Sequence, residues 1–453
     1  MCLMSSKEKI LFSWKKIREE VSNGRDLLVY EGKVYDLTKW KTHHPGGDLA
    51  ITHLVGMDAT NQIRGNHSDE IIQKKMPLFL VGSLEDTSLS PVEQAFRKLG
   101  NKLLEDGLYE KNFSFWYKEG VKLAILLTIA LSILFLGTGS WTCVCLGAFF
   151  MAFYWQQSAF VAHDSGHCGI TNDIATDYRI GFVLANCLGG VSIGWWKDGH
   201  YVHHIVTNEV ENDPDIQHMP VFAVTEKFFK GIYSTYHEFE FKFDAVAQFL
   251  VQFQHLLYFP LLLFGRFLLY ANSFRFLLLN HRARRRRYQE LLGLLCFHLW
   301  YWSLVMALVP SWPKRAAYVL LSHALTFILH VQITLSHFCM DTIDRQEDEE
   351  FVKHQLRTTL DVDCPTWMDW FHGGLQFQVI HHLFPRLPRH NLRQAQRYVM
   401  EFCKEHGLQY HLQTFSAGTG MTLSCLKQVA DQAAFLYKVG TSKYMLGHME
   451  PVM

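Results

Sequence analysis

The chain has 453 residues, enough for two or three domains of typical size. Basic and acidic residues balance at 43 each, so the formal net charge is zero, which argues against a nucleic-acid-binding protein. Hydrophobic residues make up 49% of the chain and charged residues only 19%, which excludes a disordered protein. The unusual feature is the 25 histidines, many of which lie in tight clusters.

The polar first region predicts a small globular domain that ends near Leu84. Its first residues lack the apolar run of a signal peptide, so we expect this end of the chain to stay in the cytosol. Segments Leu27–Tyr30 and Lys33–Tyr35 flank a Glu-Gly pair, which is typical of a short β-hairpin. A linker and a pre-membrane helix are predicted for residues 85–120.

Two histidines of this region are candidates for binding a haem. His44 precedes a Pro-Gly-Gly turn, and His67 follows a short helix for which Asp58 or Thr60 is the predicted cap. A lone histidine on a loop is most often simply exposed to solvent. Two loop histidines that face each other across an apolar pocket would ligate a haem iron on both faces. Such a site leaves no open position for oxygen and suits electron transfer.

The combination of His-Pro-Gly-Gly, a later Asp-Ala-Thr and the second histidine resembles the cytochrome b5 family. The resemblance covers about Ile10 to Leu84. It implies a small α+β domain over residues 8–84, in which His44 and His67 are the axial ligands of haem b.

The apolar residues form two pairs of predicted membrane spans. Residues Leu123–Ala162 contain no charged residue and no histidine, and a span needs about 20 residues, so this segment supplies two helices with a turn at 137–140. The second pair, Leu291–Pro313 and Ala316–Met340, is separated by a basic dipeptide beside two prolines. We therefore predict an all-α membrane domain over residues 121–453, with four spans in two hairpins, interfacial helices and a cytosolic helical cap.

Two further apolar runs, Ile180–Trp196 and Ala245–Gly265, are predicted to be interfacial or re-entrant. If the first run spanned the membrane, the histidine clusters on its two sides would lie on opposite faces. If the second run spanned it, the arginine-rich run at 282–287 would emerge on the non-cytosolic side, against the preference of basic residues for the cytoplasm.

Three clusters of histidines lie next to the predicted membrane boundaries. They are His163 with His167, His200 with His203 and His204, and Gln378 with His381 and His382. Residues three or four positions apart share one face of a helix, so each cluster presents its side chains together. Seven histidines exceed the needs of one four-coordinate zinc site and suit two metal ions, with Zn, Cu, Fe and Ni as candidates. For any single cluster, a coincidental surface grouping is the alternative.

The predicted fourth span carries three more histidines, His323, His330 and His337, at intervals of seven residues. They share one stripe of a helix but lie about 10 Å apart along its axis, so they cannot bind one ion. Only His337, at the cytosolic end, is placed to join the clusters, and the other two are predicted to be buried hydrogen-bonding groups. Structural or supporting roles are predicted for His218, His255, His372 and His390.

A histidine-rich site for two metals, beside a haem domain on the same side of a membrane, indicates redox chemistry on a lipid. The haem would deliver single electrons, and a metal pair, with iron as the expected metal, would use O₂ to attack an unactivated methylene group. Asp164, Asp213 and Asp215 are candidates to orient the histidines.

The three clusters behind a b5-like domain resemble the front-end desaturases over nearly the whole chain. The flanking segments 195–197, 213–215 and 370–374 are similar to that family as well. The resemblance implies two non-haem iron ions, O₂ as co-substrate, and electrons from NADH through cytochrome b5 reductase. It also implies an endoplasmic reticulum membrane, with both sites facing the cytosol. The implied iron ligands are His163, His167, His200, His203, His204, His337, His381 and His382, with Gln378 as a catalytic residue that reaches iron directly or through water.

One position departs from the family pattern, because Ile380 stands where a glutamate usually precedes the histidine pair. The departure removes an acidic group next to the implied ligands. Ile380→Glu is therefore predicted to keep activity and to shift its pH dependence.

Segments His203–Asn208 and Asp213–Pro220 resemble the Δ8 sphingolipid desaturases, and the Δ6 acyl desaturases are nearly as similar. We therefore favour the long-chain base of a sphingolipid as substrate over a fatty acyl chain of a phospholipid or acyl-CoA. A b5-fused lipid hydroxylase and a membrane-tethered electron carrier, in which the clusters bind nothing, are the alternatives. Zinc in place of iron would instead indicate a hydrolase.

Overall fold

The computed structural model describes residues 10–346 and 349–447. Its first unit contains, in chain order, β1 (Leu11–Phe12), α1 (Trp14–Ser22), β2 (Leu27–Tyr30), β3 (Lys33–Asp36), α2 (Leu49–Thr52), α3 (Thr60–Asn66), α4 (Asp69–Lys75) and β4 (Leu80–Leu84). The strands form one sheet in the order β1-β4-β3-β2, in which β1 is parallel to β4 and the other pairs are antiparallel. The predicted hairpin and the α+β class are confirmed.

The linker leads into α5 (Pro91–Glu105), α6 (Phe113–Leu136) and α7 (Trp141–Gly166). Ser140 caps α7 by accepting a hydrogen bond from the Cys143 amide at 3.2 Å. Helices α6 and α7 are both long and apolar enough to cross a membrane. The turn between them falls at residues 137–140, where the sequence predicts it.

The second hairpin contains α13 (Arg287–Leu308), α14 (Trp312–Ala324) and α15 (Phe327–Thr334). Together α14 and α15 make one candidate span of 23 residues, Trp312–Thr334. The fourth span is present, but the prediction that it continues to Met340 is wrong, because its last helix ends at Thr334. Both the amide and the hydroxyl of Thr326 donate to the His323 carbonyl, at 3.1 and 2.6 Å, which tightens the helix to a turn at that point.

The two ambiguous apolar runs do not form straight spanning helices. The first folds as α8 (Ile174–Gly181), a π-helical segment, and α9 (Ile193–Ile205). In the second, α10 (Ala245–Val251) and α11 (Gln254–Leu262) meet at an angle of 89°, as in a broken span or a re-entrant pair. Buried Gln254, at the bend, bonds to both backbone polar groups of Ala223, so protein groups take the place of water there.

Helix α12 (Gly265–Leu279) precedes the second hairpin, and strands β5 (Ile232–Ser234) and β6 (Phe239–Phe241) form a small ribbon before α10. The remaining elements form the helical cap: α16 (Phe351–Thr358), β7 (Asp361–Asp363), α17 (Asp369–His372), α18 (Gln378–Leu383), α19 (Leu392–Glu405), β8 (Leu412–Thr414) and α20 (Phe415–Gly447). The mostly helical membrane domain is thereby confirmed, while the exact boundaries 8–84, 85–120 and 121–453 stay predictions.

Candidate metal centre and haem site

The first histidine cluster lies at the C-terminal end of the candidate span α7. His163 is in its last turn and His167 follows directly after it, with ring centres 4.9 Å apart. Gly166 lies between them, where a Cβ atom would meet the Trp196 ring at 2.2 Å. Only glycine therefore allows α7 to approach α9 closely enough to bring the first two clusters together.

The second cluster projects from α9. Ser192 caps this helix, because its hydroxyl accepts from the Trp195 amide at 3.0 Å. His200 and His204 are one turn apart, with their Nε2 atoms separated by 3.1 Å. His203 lies on the same helix and is 2% exposed. The third cluster lies on α18, a helix of six residues that carries Gln378, His381 and His382.

The structure brings all eight predicted histidines together. In one group, His163, His167, His200 and His381 place candidate ligand atoms within 4.8 Å of one another, and His203, His337 and His382 form a second such group. His204 lies between the groups, with its ring 4.3 Å from that of His382 and 4.6 Å from that of His381. Gln378 lines the same small cleft as His163, Asp164 and His381.

The nitrogens of these histidines fit a metal because many of them have no other partner. The buried ring nitrogens without a hydrogen bond are His163 Nε2, both nitrogens of His167, His204 Nδ1, His381 Nε2 and His382 Nε2. Buried polar atoms in folded proteins are almost always satisfied, so this concentration calls for a partner. Imidazole-rich surroundings suit iron, copper, nickel or zinc.

Carboxylates hold several of the rings in place, as expected. Asp213 accepts from His203 Nδ1 at 2.8 Å, and Asp215 lies 3.5 Å from His200 Nδ1. Asp164 lies 3.4 Å from His163 Nδ1 and pairs with Arg389. Such partners fix the ring orientation and direct the other nitrogen toward a metal.

The electrostatics differ between members of the cluster. Burial lowers the pKa of His200 to about 4, which keeps its ring neutral as metal ligation requires. Burial also lowers the pKa of His203, but Asp213 and Asp215 outweigh it and raise that pKa to about 9.

His44 and His67 lie side by side and form what is called the haem-type site below. The site has the geometry for two axial ligands. The ring centres of His44 and His67 are 5.9 Å apart, which suits one iron with bonds of about 2 Å to each ring. Each Nδ1 bonds to a backbone carbonyl, that of Gly47 at 2.9 Å or Ile63 at 3.1 Å. This leaves each Nε2 for an iron. Burial and then the charge of His44 lower the pKa of His67 to about 4, so its ring is neutral.

The haem-type domain docks with both of its histidine segments against the membrane domain. A Cβ atom on Gly46 would lie 3.6 Å from the Tyr201 ring, and one on Gly65 would lie 3.3 Å from Pro385. Tyr201 donates to the Gly166 carbonyl at 2.6 Å, and its ring is 5.7 Å from that of His167. The Tyr201 side chain thus lies between the segment that carries His44 and the first metal group.

Sequence reasoning missed Glu290, which lies at the start of α13. It is 3% exposed. Its carboxylate accepts from the Ser192 hydroxyl at 2.5 Å, the Gly194 amide and the Tyr178 hydroxyl at 3.0 Å each, and the Asn186 amide group at 3.3 Å. Glu290 therefore anchors the beginning of α9 to the second hairpin. The sequence feature that could have revealed Glu290 is an acidic residue at the edge of an apolar span.

Asp361, on β7, was missed as well. Its Oδ1 accepts from the Val379 amide at 2.7 Å, and its Oδ2 accepts from Gln396 at 2.9 Å and from the Tyr410 hydroxyl. Burial raises the pKa of Asp361 to about 7. The carboxyl group therefore fixes the first turn of α18 and, with it, the third histidine cluster.

Asp361→Ala is expected to lower the free energy of unfolding by about 1–3 kcal/mol, because three buried donors lose their acceptor. Bound non-haem iron should fall with it. Thermal unfolding and metal analysis of the purified chain measure both effects. Asp363→Ala is the matched control, because Asp363 is exposed on the same strand. Equal stability and iron content in the two variants would contradict the assignment.

The other predicted residues divide into two sets. His323 is a buried hydrogen-bonding group, as predicted, with the Val319 carbonyl at 2.8 Å and the Tyr270 hydroxyl at 3.2 Å. For His330, Nε2 has no hydrogen-bond partner within the described chain, and the predicted role stays a prediction. His372 lies 3.2 Å from the Gln332 amide. His218, His255 and His390 fall outside both metal groups.

Ile380 lies in a different environment from the one expected. It is fully buried, in an apolar cluster that includes Phe96, Val352 and Leu383. A carboxylate there would be desolvated among apolar side chains. We therefore now expect Ile380→Glu to lower the melting temperature, whereas the volume-conserving Ile380→Leu should have little effect. A stable Ile380→Glu protein with wild-type activity would show that the site accommodates the acid.

The comparisons with known proteins agree with this architecture. A model of the fatty acid desaturase family matches residues 139–414, and a model of the cytochrome b5-like heme/steroid binding domain matches residues 13–85. A Delta 8-(E)-sphingolipid desaturase of Kluyveromyces lactis is 36% identical, over 93% of each chain. An acyl-lipid (9-3)-desaturase of Borago officinalis is also 36% identical, over 96% of this chain and 97% of its own.

The chain belongs to the fatty acid desaturase family. It is a front-end lipid desaturase with a fused cytochrome b5-like domain, as the sequence predicts. The b5-like domain implies a haem and the desaturase family implies a di-iron centre, and the histidine clusters for the latter are present. Within the described residues, four segments are long and apolar enough to cross a membrane, which fits a membrane protein.

Proposed function

We propose that this desaturase inserts a double bond at Δ8 of the long-chain base of a sphingolipid, in the endoplasmic reticulum membrane with both sites toward the cytosol. Electrons would come from NADH through cytochrome b5 reductase. In this reaction the substrate gives up two hydrogens, with their electrons, from adjacent methylene groups, and the donor supplies two further electrons and two protons. Together they reduce one O₂ to two molecules of water. The observation that carries the proposal is the convergence of three histidine clusters beside the docked b5-like domain.

The proposed ligands of one iron are His163, His167, His200 and His381, and those of the other are His203, His337 and His382. His204 lies between the two groups and is proposed to bind iron through its unpaired Nδ1. Gln378 is proposed to contact the reacting centre. When bound, the iron pair supplies the oxygen chemistry that carbon–hydrogen bond cleavage needs.

The chain's own residues would hold this site closed and correctly oriented. Asp213 fixes the His203 ring, and Gln355 accepts at 3.0 Å from His382 Nδ1. Arg389 belongs to the helical cap and follows the third histidine cluster in the chain. Its ion pair with Asp164 links the first cluster to that cap. Because Arg389 and His382 are at most 7% exposed, water is kept from this side of the site.

The choice of substrate rests on the relatives. Several fungal relatives covering nearly the whole chain are named Delta 8-(E)-sphingolipid desaturases, including that of Emericella nidulans at 34% identity. The (E) in those names supports a trans product. The acyl-lipid relatives keep a second candidate open, in which the substrate is a fatty acyl chain.

Expression in a yeast host that makes no unsaturated long-chain base tests the proposal. Mass spectrometry should find long-chain bases lighter by two hydrogens, with the double bond at position 8. Desaturation confined to fatty acyl chains would favour the second candidate. A gain of one oxygen would indicate a hydroxylase. Unchanged lipids, from a protein that contains haem but no other iron, would indicate an electron carrier.

A further inference from the structure

Two basic residues of the membrane domain lie near the segments that carry His44 and His67. Lys197 is on α9, one turn before Tyr201, and its Nζ is 5.2 Å from the centre of the Tyr201 ring. Arg386 directly follows Pro385, the residue that contacts the helix before His67. The positive charge of Arg386 acts to lower the pKa of both His67 and Tyr201. Both cations therefore belong to segments that lie at the boundary between the two domains.

Neither cation has a carboxylate partner within residues 10–346 and 349–447, whereas their basic neighbours do. Arg282 pairs with Asp198 at 3.3 Å, and Arg389 donates to Asp164 at 2.7 Å. Lys197 interacts instead with the Tyr201 hydroxyl. Both unpaired cations are partly buried. Taking a charge out of water without a counter-ion is costly, so an anion is the expected partner at this boundary.

A haem held between His44 and His67 brings two carboxylate groups on one edge, and that edge must leave the apolar pocket. We propose that Lys197 and Arg386 bind the haem propionates, so that the membrane domain completes the haem site of the b5-like domain. The proposal rests on the proposed ligation of the haem by His44 and His67. This binding would also explain why the b5-like domain docks on the membrane domain, because the cofactor would bridge the two domains with charge-assisted hydrogen bonds.

The test uses the purified full-length chain in detergent, with Lys197→Gln, Arg386→Gln and the double variant. Arg179→Gln is the matched control, because it removes the same charge from an exposed position of the same domain. Three quantities are measured: the haem spectrum, the haem midpoint potential, and the rate at which haem passes to apomyoglobin. A further arm loads apoprotein from a haem-starved host with haem or with its dimethyl ester, which lacks the propionate charges.

We expect the double variant to lose haem several-fold faster and to have a lower midpoint potential, because removing cations disfavours the added electron. Arg386→Lys keeps the positive charge, so its rate of haem loss and its midpoint potential should lie closer to the wild-type values than those of Arg386→Gln. Arg179→Gln should match the wild type. With the dimethyl ester, the double variant should differ little from the wild type. A double variant with wild-type potential and haem loss, or an equal effect with the ester, would overturn the proposal. A chain without a bis-histidine haem spectrum would instead refute the ligation itself.

Discussion

His381→Ala is expected to abolish desaturation and to release iron from the first metal group. The His381 ring lies 4.5 Å from that of His163 and 4.6 Å from those of His167 and His204, so its loss removes a nitrogen from the middle of the site. Loss of a group that merely supports a metal ligand typically costs 10–100-fold, so loss of a ligand should reduce activity by at least about 100-fold. Product analysis and metal analysis measure the two effects.

His411→Gln is the control for this variant, because His411 precedes β8 and belongs to neither metal group. The haem absorbance of His381→Ala should be unchanged, which would show that the b5-like domain is intact. A variant that keeps its non-haem iron and its activity would remove His381 from the proposed ligand set.

His67→Leu is expected to remove the haem while leaving the non-haem iron in place. His67 contributes one of the two ring nitrogens of the haem-type site, and its Nδ1 is already bonded to the Ile63 carbonyl. Activity driven by NADH and cytochrome b5 reductase should therefore fall to background, because electrons have no carrier into the metal centre. Haem absorbance, metal content and product yield are measured on the same preparation.

His43→Leu is the matched control, since His43 neighbours the other proposed ligand, His44, but is exposed. It should retain haem and activity. If His67→Leu desaturates at the wild-type rate with the reductase as sole electron source, the fused domain does not supply the electrons.

Local sequence patterns predicted the parts of the fold that depend on neighbouring residues. The uncharged run Leu123–Ala162 is long enough for two spans, and its Gly-rich centre became the turn between α6 and α7. The clusters follow from helical spacing, which places His200 and His204 on one face of α9. The three clusters can form a shared site only if they lie on the same side of the membrane, as the sequence predicts. The short distances between their candidate ligand atoms agree with that prediction.

The features that escaped prediction depend on residues far apart in the chain. The partners of Asp361 are 18, 35 and 49 residues away, and no local pattern relates them. The contact between Gly46 and Tyr201 joins two domains, so it cannot be inferred from either one alone. The fourth span is interrupted at Thr326, whose hydroxyl donates to the His323 carbonyl. A hydropathy pattern does not reveal such a hydrogen bond between a side chain and the backbone.

The most direct test of the two-metal assignment is the ratio of iron to haem in the purified full-length chain, by elemental analysis together with haem absorbance. Two groups of histidines predict two non-haem irons for each haem. A single non-haem iron, none at all, or zinc in their place would contradict the account.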